Sequence, residues 1–170
     1  MTGWDSVTVP GAPAGWRRLS QRAGRLPFAA LFDDAIRLAE QGFRVTPVVA
    51  AKWAREGQRL GAVPGFAAQF LPGGRAPAAG EVFRTPHLAG TLREMAASGS
   101  ESFYRGGLAQ ALVRAAHQAG AALSAQDLAD AWAEDGWEQP LHLDYRGHRV
   151  HQLPPNGQGV STLIALGILQ

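Results

Sequence analysis

Cysteine is absent from the 170 residues, so the chain has no disulfide, no thiolate nucleophile and no thiolate zinc site. Lysine is nearly absent as well, because the 16 basic residues are 15 arginines and Lys52. No apolar run approaches the roughly 18 residues of a membrane span, and Met1 to Asp5 does not begin a secretory signal. The sequence therefore predicts a soluble protein without a membrane partner.

Glycine, alanine and proline are abundant, with 21, 31 and 11 residues. Hydrophobic residues make up 46% and charged residues 18% of the chain, which is typical of a globular protein with one buried core. The length predicts a single domain over residues 1–170. Composition narrows the class of protein but points to no particular chemistry.

The charges are distributed unevenly along the chain. Up to Arg93 there are 12 basic and 6 acidic residues, and beyond it 4 and 8, although the net charge is only +2. Arg17, Arg18, Arg22 and Arg25 follow one another without an acidic residue. Because no nucleic-acid motif or set of interleaved aromatics accompanies them, we predict no nucleic-acid partner. A solvated helix face and a docking surface for an acidic segment remain as alternatives.

Apolar residues at helical spacing, with proline or glycine at the ends, predict an α+β fold that is predominantly helical. The predicted helices run from Ala12 to Gly24, Pro27 to Gly42, Thr46 to Gly61, Thr85 through Met95, Ser98 to Gly120, Ser124 through Trp132, and Val160 to the chain end. Between Gly61 and Gly80 we expect an ordered loop or a short helical turn held by Phe66 and Phe70.

Two further signals concern helix starts and strands. Ser98-x-x-Glu101 and Ser124-x-x-Asp127 have the spacing of a capping box, in which two side chains satisfy two unpaired amides. Ser6 to Val9 alternates as a strand, and Leu141 to Tyr145 with His148 to Leu153 predicts a hairpin that turns at Arg146-Gly147. Strands are thus predicted near both ends of the chain.

The predicted hairpin gathers most of the histidines. Counting outward from the two-residue turn pairs His142 with His151 and Asp144 with Arg149, all on one face. Two imidazoles and a carboxylate are metal ligands, but the Arg149 guanidinium would oppose a cation and compete for Asp144. The pattern therefore favours a polar outer face, and we assign no metal ligand.

Three other motifs are weak. Gly157-x-Gly159 begins like a dinucleotide fingerprint, but Thr162 stands at the third glycine position and no acidic residue follows, which favours a tight turn. Ser161 lies outside any G-x-S-x-G elbow. Thr2 would become an N-terminal nucleophile on loss of the initiator methionine, but no strand follows to bury it. We assign no catalytic and no cofactor-binding residue.

Seven short segments, in order along nearly the whole chain, form a more informative set. They are Thr8-Val9-Pro10-Gly11 with Gly15-Trp16; Gly24-Arg25-Leu26-Pro27; Ala35-Ile36 with Ala39-Glu40-Gln41-Gly42-Phe43; Phe103-Tyr104-Arg105-Gly106 with Leu108-Ala109; Leu123-Ser124 with Asp127-Leu128; Tyr145-Arg146-Gly147; and Leu153-Pro154-Pro155-Asn156-Gly157-Gln158-Gly159. Together they resemble the large-subunit part of the gamma-glutamyltranspeptidase family, especially its bacterial gamma-glutamyltransferase-like branch.

The resemblance implies part of an N-terminal nucleophile hydrolase, an αββα sandwich made as one precursor that cuts itself into large and small subunits. The family moves a γ-glutamyl group from a donor such as glutathione to water or an amino acid, without a metal or organic cofactor. Its nucleophilic threonine would lie beyond Gln170, and its donor-binding arginine before Val7. The resemblance thus implies a small-subunit partner and an isolated chain without activity.

The chain departs from the family pattern at Asp34, where proline is usual, and at Ala121-Ala122, where a double glycine is common. The apolar final helix indicates part of a larger fold, whose exposed surface would favour homo-oligomers. Two alternatives stay open: a non-catalytic interaction module or remnant of the scaffold, and a related amidase or cephalosporin-acylase-type hydrolase. The compartment is unassigned, with the bacterial cytoplasm as our expectation.

Overall fold

The computed structural model describes residues 3–63, 65–134 and 136–170. The chain divides into two compact units, Met1–Ala133 and Glu134–Gln170. In the first unit the helices are α1 (Ala12–Ala23), α2 (Asp33–Gln41), α3 (Pro47–Leu60), α4 (Phe66–Phe70), α5 (Pro86–Ser98), α6 (Ser102–Arg105), α7 (Gly107–Gln118) and α8 (Ala125–Ala133). Short 3₁₀ segments cover Trp4–Ser6, Phe28–Phe32 and Pro72–Gly74, and the strands are β1 (Phe43–Arg44) and β2 (Val82–Phe83). The fold is predominantly helical, as predicted.

A buried cluster in the first unit joins α1, α6, α7 and α8. Its members Ala14, Tyr104, Ala109 and Leu128 are each at most 3% exposed. The Tyr104 hydroxyl donates to the Pro10 carbonyl oxygen at 2.7 Å and accepts the Ala14 amide at 3.1 Å. Burial raises the pKa of Tyr104, so its hydroxyl stays protonated and can donate. One side chain therefore fixes the start of α1 on the rest of this core.

Aromatic rings hold the short strands and the loop before them. Phe43 of β1 pairs with Phe83 of β2. The ring centroids of Trp53 and Phe83 are 4.6 Å apart, and the two rings pack edge to face. Trp53 also donates its indole N–H to the Phe70 carbonyl at 2.8 Å, and Phe66 lies 5.2 Å from Phe70. The expected short helical turn held by its aromatics is confirmed as α4.

Most predicted helix ends are confirmed, since Gly24, Gly42 and Gly61 are the C-caps of α1, α2 and α3. The capping box before α8 is confirmed too. The Ser124 amide donates to Asp127 Oδ2 at 2.8 Å, and the Asp127 amide donates to Ser124 Oγ at 3.2 Å. The Ser124 hydroxyl and amide together lower the pKa of Asp127. The helix predicted from Pro27 differs only in starting as a 3₁₀ segment.

The strand predicted at Ser6 to Val9 is wrong. Trp4–Ser6 is a 3₁₀ segment, and residues 7–10 have no regular secondary structure. Val7 has an extended backbone, with φ −92° and ψ 114°. Within the described residues, however, the strands that pair are β1 with β2 and one further hairpin, so no edge receives this segment. Alternation predicts an extended backbone, but a strand also needs a partner.

The capping box at Ser98 and the long helix after it are also wrong. Ser98 is the last residue of α5, with its Oγ donating to the Glu94 carbonyl at 2.7 Å. Gly99 then ends the helix with a left-handed backbone at φ +61°. Gly106, where an added Cβ would lie 2.8 Å from Ser102 Cα, separates α6 from α7. Ser98 and Glu101 have the spacing of a capping box, but Gly99 ends α5 and Gly106 ends α6, so no single long helix starts at Ser98.

The second unit is a hairpin with one helix. It contains β3 (Leu141–Tyr145), β4 (His148–Gln152) and α9 (Gly159–Ile168). The register pairs Tyr145 with His148 and His142 with His151, which confirms the predicted pairing. Leu143 and Tyr145 of β3 and Val150 and Gln152 of β4 are half-buried on the face that packs against α9, whereas the other face is exposed.

We expect the segment 75–81 to be sensitive to acid. Arg75 holds Glu81 with two hydrogen bonds of 3.0 and 2.6 Å, and the Ala78 amide donates to the same carboxylate at 2.8 Å. The Arg75 hydrogen bond first, then that of Ala78, lowers the pKa of Glu81 to about 2 from its ordinary 4.5. The folded-state pKa is depressed, so this contribution to stability is present above pH 4.5 and is lost as pH falls towards 2.

Hydrogen exchange at the Ala78 amide measures this loss. Protection of Ala78 in the native chain should fall between pH 4.5 and pH 2, whereas in Glu81→Gln it should be low already at neutral pH and stay nearly flat. Parallel pH profiles for the two proteins would contradict the assignment.

Candidate functional site

The polar face of the hairpin forms as predicted. His142 and His151 have ring centroids 5.6 Å apart, and both side chains are exposed. Arg149 donates to both carboxylate oxygens of Asp144, at 2.8 and 3.2 Å. The Arg149 hydrogen bond is the main cause that lowers the pKa of Asp144, with weaker contributions from the charges of Arg149 and the two histidines. Both oxygens of the Asp144 carboxylate therefore accept hydrogen bonds from Arg149 in an ion pair.

The glycine-rich turn before α9 has a local structural use. An added Cβ at Gly159 would lie 2.5 Å from Gln152 Oε1 and 2.9 Å from Gln152 Cβ, so the turn packs tightly on β4. Gly157 has open space around it. The following Ser161 and Thr162 are exposed. This geometry fits the tight turn favoured by the sequence. At position 159 a glycine allows the backbone to pack directly against the Gln152 side chain.

The arginines of α1 are engaged in packing. Arg18 donates to the carbonyl oxygens of Ala131 at 3.3 Å and Trp132 at 2.8 Å, where α8 ends. The Arg17 guanidinium lies over the Phe28 ring, 5.4 Å from its centroid. Part of the predicted basic surface therefore stabilises the first unit. Thr2, the candidate N-terminal nucleophile, lies outside the described residues.

Two apolar grooves open on the surface of the first unit. The larger, of about 650 Å³, lies between α1, the Phe28–Phe32 segment and α5. Its wall includes Trp16, Leu19 and Leu31, which are half exposed at 50%, 58% and 51%. The smaller, of about 420 Å³, is lined by residues of α3 and α4 that include Trp53. The sequence predicts apolar residues at helical spacing along the segments that line the larger groove.

Glu56, which lines the smaller groove, has a lowered pKa, mainly because of its hydrogen bond with Arg59. The acids Glu81, Asp127 and Asp144 lie on exposed parts of the chain, and local hydrogen bonds lower their pKa values too. Such shifts mark ion pairs and caps, whereas a catalytic acid or base owes its shifted pKa to burial in a cleft beside a charged partner. Among the residues that the structure describes, no group of three or more histidine, aspartate or glutamate side chains could hold a metal ion.

The Tyr104 hydrogen bonds were not predicted from sequence. Pro10 and Tyr104 are 94 residues apart, and no local pattern connects such distant positions. No described helix is both long and apolar enough to cross a membrane. The described part of the chain thus provides a scaffold. Its candidate ligand-binding features are the exposed His142–His151 pair of the hairpin and the two apolar grooves.

Comparisons with known proteins give this scaffold a class. The family model for gamma-glutamyltranspeptidase matches residues 1–170. The chain is 39% identical over 170 residues to the oxamate amidohydrolase proenzyme of Klebsiella pneumoniae, covering 96% of this chain and 31% of that protein. It is 34% identical over 171 residues to the glutathione hydrolase-like YwrD proenzyme of Bacillus subtilis, covering 100% of this chain and 32% of that protein.

A solved structure agrees with the sequence comparison. The cephalosporin acylase of Bacillus halodurans superposes with a TM-score of 0.91 at 42% identity, over 98% of this chain and 32% of the acylase chain. The class is therefore the N-terminal nucleophile hydrolase scaffold expected from the resemblance. The chain belongs to the gamma-glutamyltranspeptidase family. It spans about a third of the length of the curated relatives it matches.

Proposed function

We propose that residues 1–170 act together as a large-subunit segment of an enzyme that transfers or hydrolyses γ-glutamyl groups. The observation that carries this proposal is the family match over the whole chain. It is supported by the 34% identity to a glutathione hydrolase-like proenzyme. The donor in the whole enzyme would be glutathione or a related γ-glutamyl compound.

In the proposed reaction the nucleophile is an N-terminal threonine of a small-subunit segment outside this chain. Its α-amine accepts the hydroxyl proton, and the oxygen attacks the γ-amide carbonyl carbon of the donor. Backbone amides hold the negative oxygen of the tetrahedral intermediate, which collapses as the amide C–N bond breaks and the leaving amine takes the proton from the α-ammonium group. Water or an amine then attacks the threonine ester and releases the γ-glutamyl group. None of these groups is assigned to a residue of this chain, whose part is to hold the scaffold in place.

The two apolar grooves are the surfaces through which this chain would meet the rest of the enzyme. Leu19 and Leu31 are more than half exposed in the larger groove, and a helix or strand laid there would remove apolar surface from water. The small-subunit segment is the partner that we propose for this chain. A non-catalytic interaction module would use the same surfaces but would need no threonine.

A second candidate function is amide hydrolysis on another acyl group. Two specific observations favour it: the relative at 39% identity is named an oxamate amidohydrolase, and the structure with a TM-score of 0.91 is named a cephalosporin acylase. The residues that distinguish donors are not assigned within this chain. Substrate preference of the whole enzyme separates the two candidates.

An exchange experiment tests the scaffold role. In the Klebsiella pneumoniae oxamate amidohydrolase proenzyme, the matching segment is replaced by residues 1–170, and conversion of the proenzyme to its mature form is followed on denaturing gels. We expect conversion to occur with the native segment and to fail with Tyr104→Ala, which opens the buried core. A soluble exchanged protein that is never converted would contradict the proposal.

The isolated chain provides the complementary test. We expect purified residues 1–170 to release no product from a γ-glutamyl anilide. Release that disappears in Thr2→Ala would contradict the proposal, because it would place the nucleophile within this chain.

A further inference from the structure

The exposed face of the hairpin places two imidazoles directly opposite each other on adjacent strands. His142 and His151 are cross-strand partners, and both side chains are exposed. Their ring centroids are 5.6 Å apart and their planes are inclined by 37°. No lysine or arginine of the hairpin lies between them in the pairing, because Arg149 belongs to the next pair on this face.

This separation suits a shared ion. Two imidazoles bound to one tetrahedral ion, with metal–nitrogen distances of about 2.0–2.1 Å, have ring centroids about 5 Å apart. The observed separation of 5.6 Å is close to this value, and exposed histidine side chains can rotate about their χ1 and χ2 bonds to bring their ring nitrogens to one ion. The strands supply the preorganisation, since their register fixes the two Cβ atoms on one face.

The neighbouring charges do not oppose a cation strongly. The sequence alone suggested that Arg149 would repel a metal ion, but in the structure its guanidinium is held by both oxygens of Asp144. The pair has no net charge, and its arginine is directed to the carboxylate. The two imidazoles are therefore left as the donors of this face.

We propose that His142 and His151 form a two-imidazole site for a late first-row divalent metal ion. Imidazole is a preferred ligand of Zn²⁺, Ni²⁺ and Cu²⁺, and Cu²⁺ binds most tightly of the three to a given nitrogen site. Two protein ligands leave the other coordination positions to water or to a donor from outside.

Titration of the full chain with Cu²⁺, in a weakly coordinating buffer at neutral pH, tests the site by calorimetry. We expect one equivalent to bind, and the affinity to fall at least tenfold in either His142→Gln or His151→Gln. The matched control is His148→Gln, whose side chain belongs to the opposite face of the same strand. This control should bind as the native chain does.

The double variant separates chelation from independent binding. If one ion bridges both rings, His142→Gln with His151→Gln binds little more weakly than either single variant, because each single change already removes the chelate. Electron paramagnetic resonance of the native complex should show coupling to two imidazole nitrogens. Additive losses in the variants, coupling to a single nitrogen, equal weakening in His148→Gln, or no binding to the native chain would each overturn the proposal. Unchanged circular dichroism in all variants verifies that the hairpin is intact.

Discussion

Gly42→Ala is expected to lower the free energy of unfolding by about 2–5 kcal/mol, since it combines backbone strain with overpacking. Gly42 has φ +87° and ψ 170°, a region that only glycine occupies readily. An added Cβ would lie 2.6 Å from Val82 Cγ1 and 2.7 Å from the Phe83 carbonyl oxygen. That oxygen belongs to β2, so it cannot move away without disturbing the β1–β2 pairing.

Gly80→Ala is the matched control for this substitution. Gly80 also has a positive φ, +84°, but nothing lies within 4 Å of the position of its Cβ. We expect it to cost about 1–2 kcal/mol, from strain alone. Urea unfolding of both variants measures the difference. Equal losses in the free energy of unfolding for the two variants would show that the close approach of Gly42 to β2 does not contribute to stability.

Tyr104→Ala is expected to cost about 3–5 kcal/mol of folding free energy, because it removes a large aromatic side chain from the core. Tyr104 is 1% exposed and packs with Leu128, which is fully buried, and with Trp132, whose ring lies 5.3 Å away. The loss includes the two hydrogen bonds to Pro10 and Ala14. Urea unfolding followed by tryptophan fluorescence measures it.

Tyr104→Phe isolates the hydroxyl from the ring. This variant keeps the packing but leaves the amide of Ala14, a residue that is 1% exposed, without its partner. We expect it to cost about 1–3 kcal/mol, the penalty for a buried unpaired donor. Stability equal to the native value would mean that water replaces the hydroxyl, and that Tyr104 acts through packing alone.

Local chemistry could be predicted well from the sequence. The hairpin register followed from Arg146-Gly147, where both residues have positive φ, +47° and +80°, as a type I′ turn requires. The Ser124–Asp127 box formed for an equally local reason. In both cases the residues that decide the structure lie within a few positions of one another.

Long-range features could not be predicted from local patterns. The Ser6 to Val9 segment alternates correctly, but whether it is a strand depends on a partner edge elsewhere in the chain. The Tyr104 bonds to the start of α1 join residues 90 and 94 positions apart. For the site, helical spacing places Leu19 and Leu31 on apolar stripes, but spacing does not show what covers a stripe, and both side chains are more than half exposed.

Family membership was predicted by another route, the order of seven short segments. One of them, Phe103-Tyr104-Arg105-Gly106, contains the tyrosine of the core and the glycine that separates α6 from α7. Another, which ends in Gly42-Phe43, contains the glycine that approaches β2. These positions are restricted by packing in the structure, so two of the segments that carry the resemblance also have a structural role in this chain.

Sequencing the DNA on both sides of this reading frame tests the central proposal most directly, because a γ-glutamyl enzyme needs groups that we assign to no residue of this chain. The proposal predicts an in-frame continuation with a donor-binding arginine upstream of Val7 and, downstream of Gln170, a threonine at a self-cleavage site. Stop codons or unrelated sequence on both sides would contradict it, and the match to the gamma-glutamyltranspeptidase family would then reflect ancestry alone.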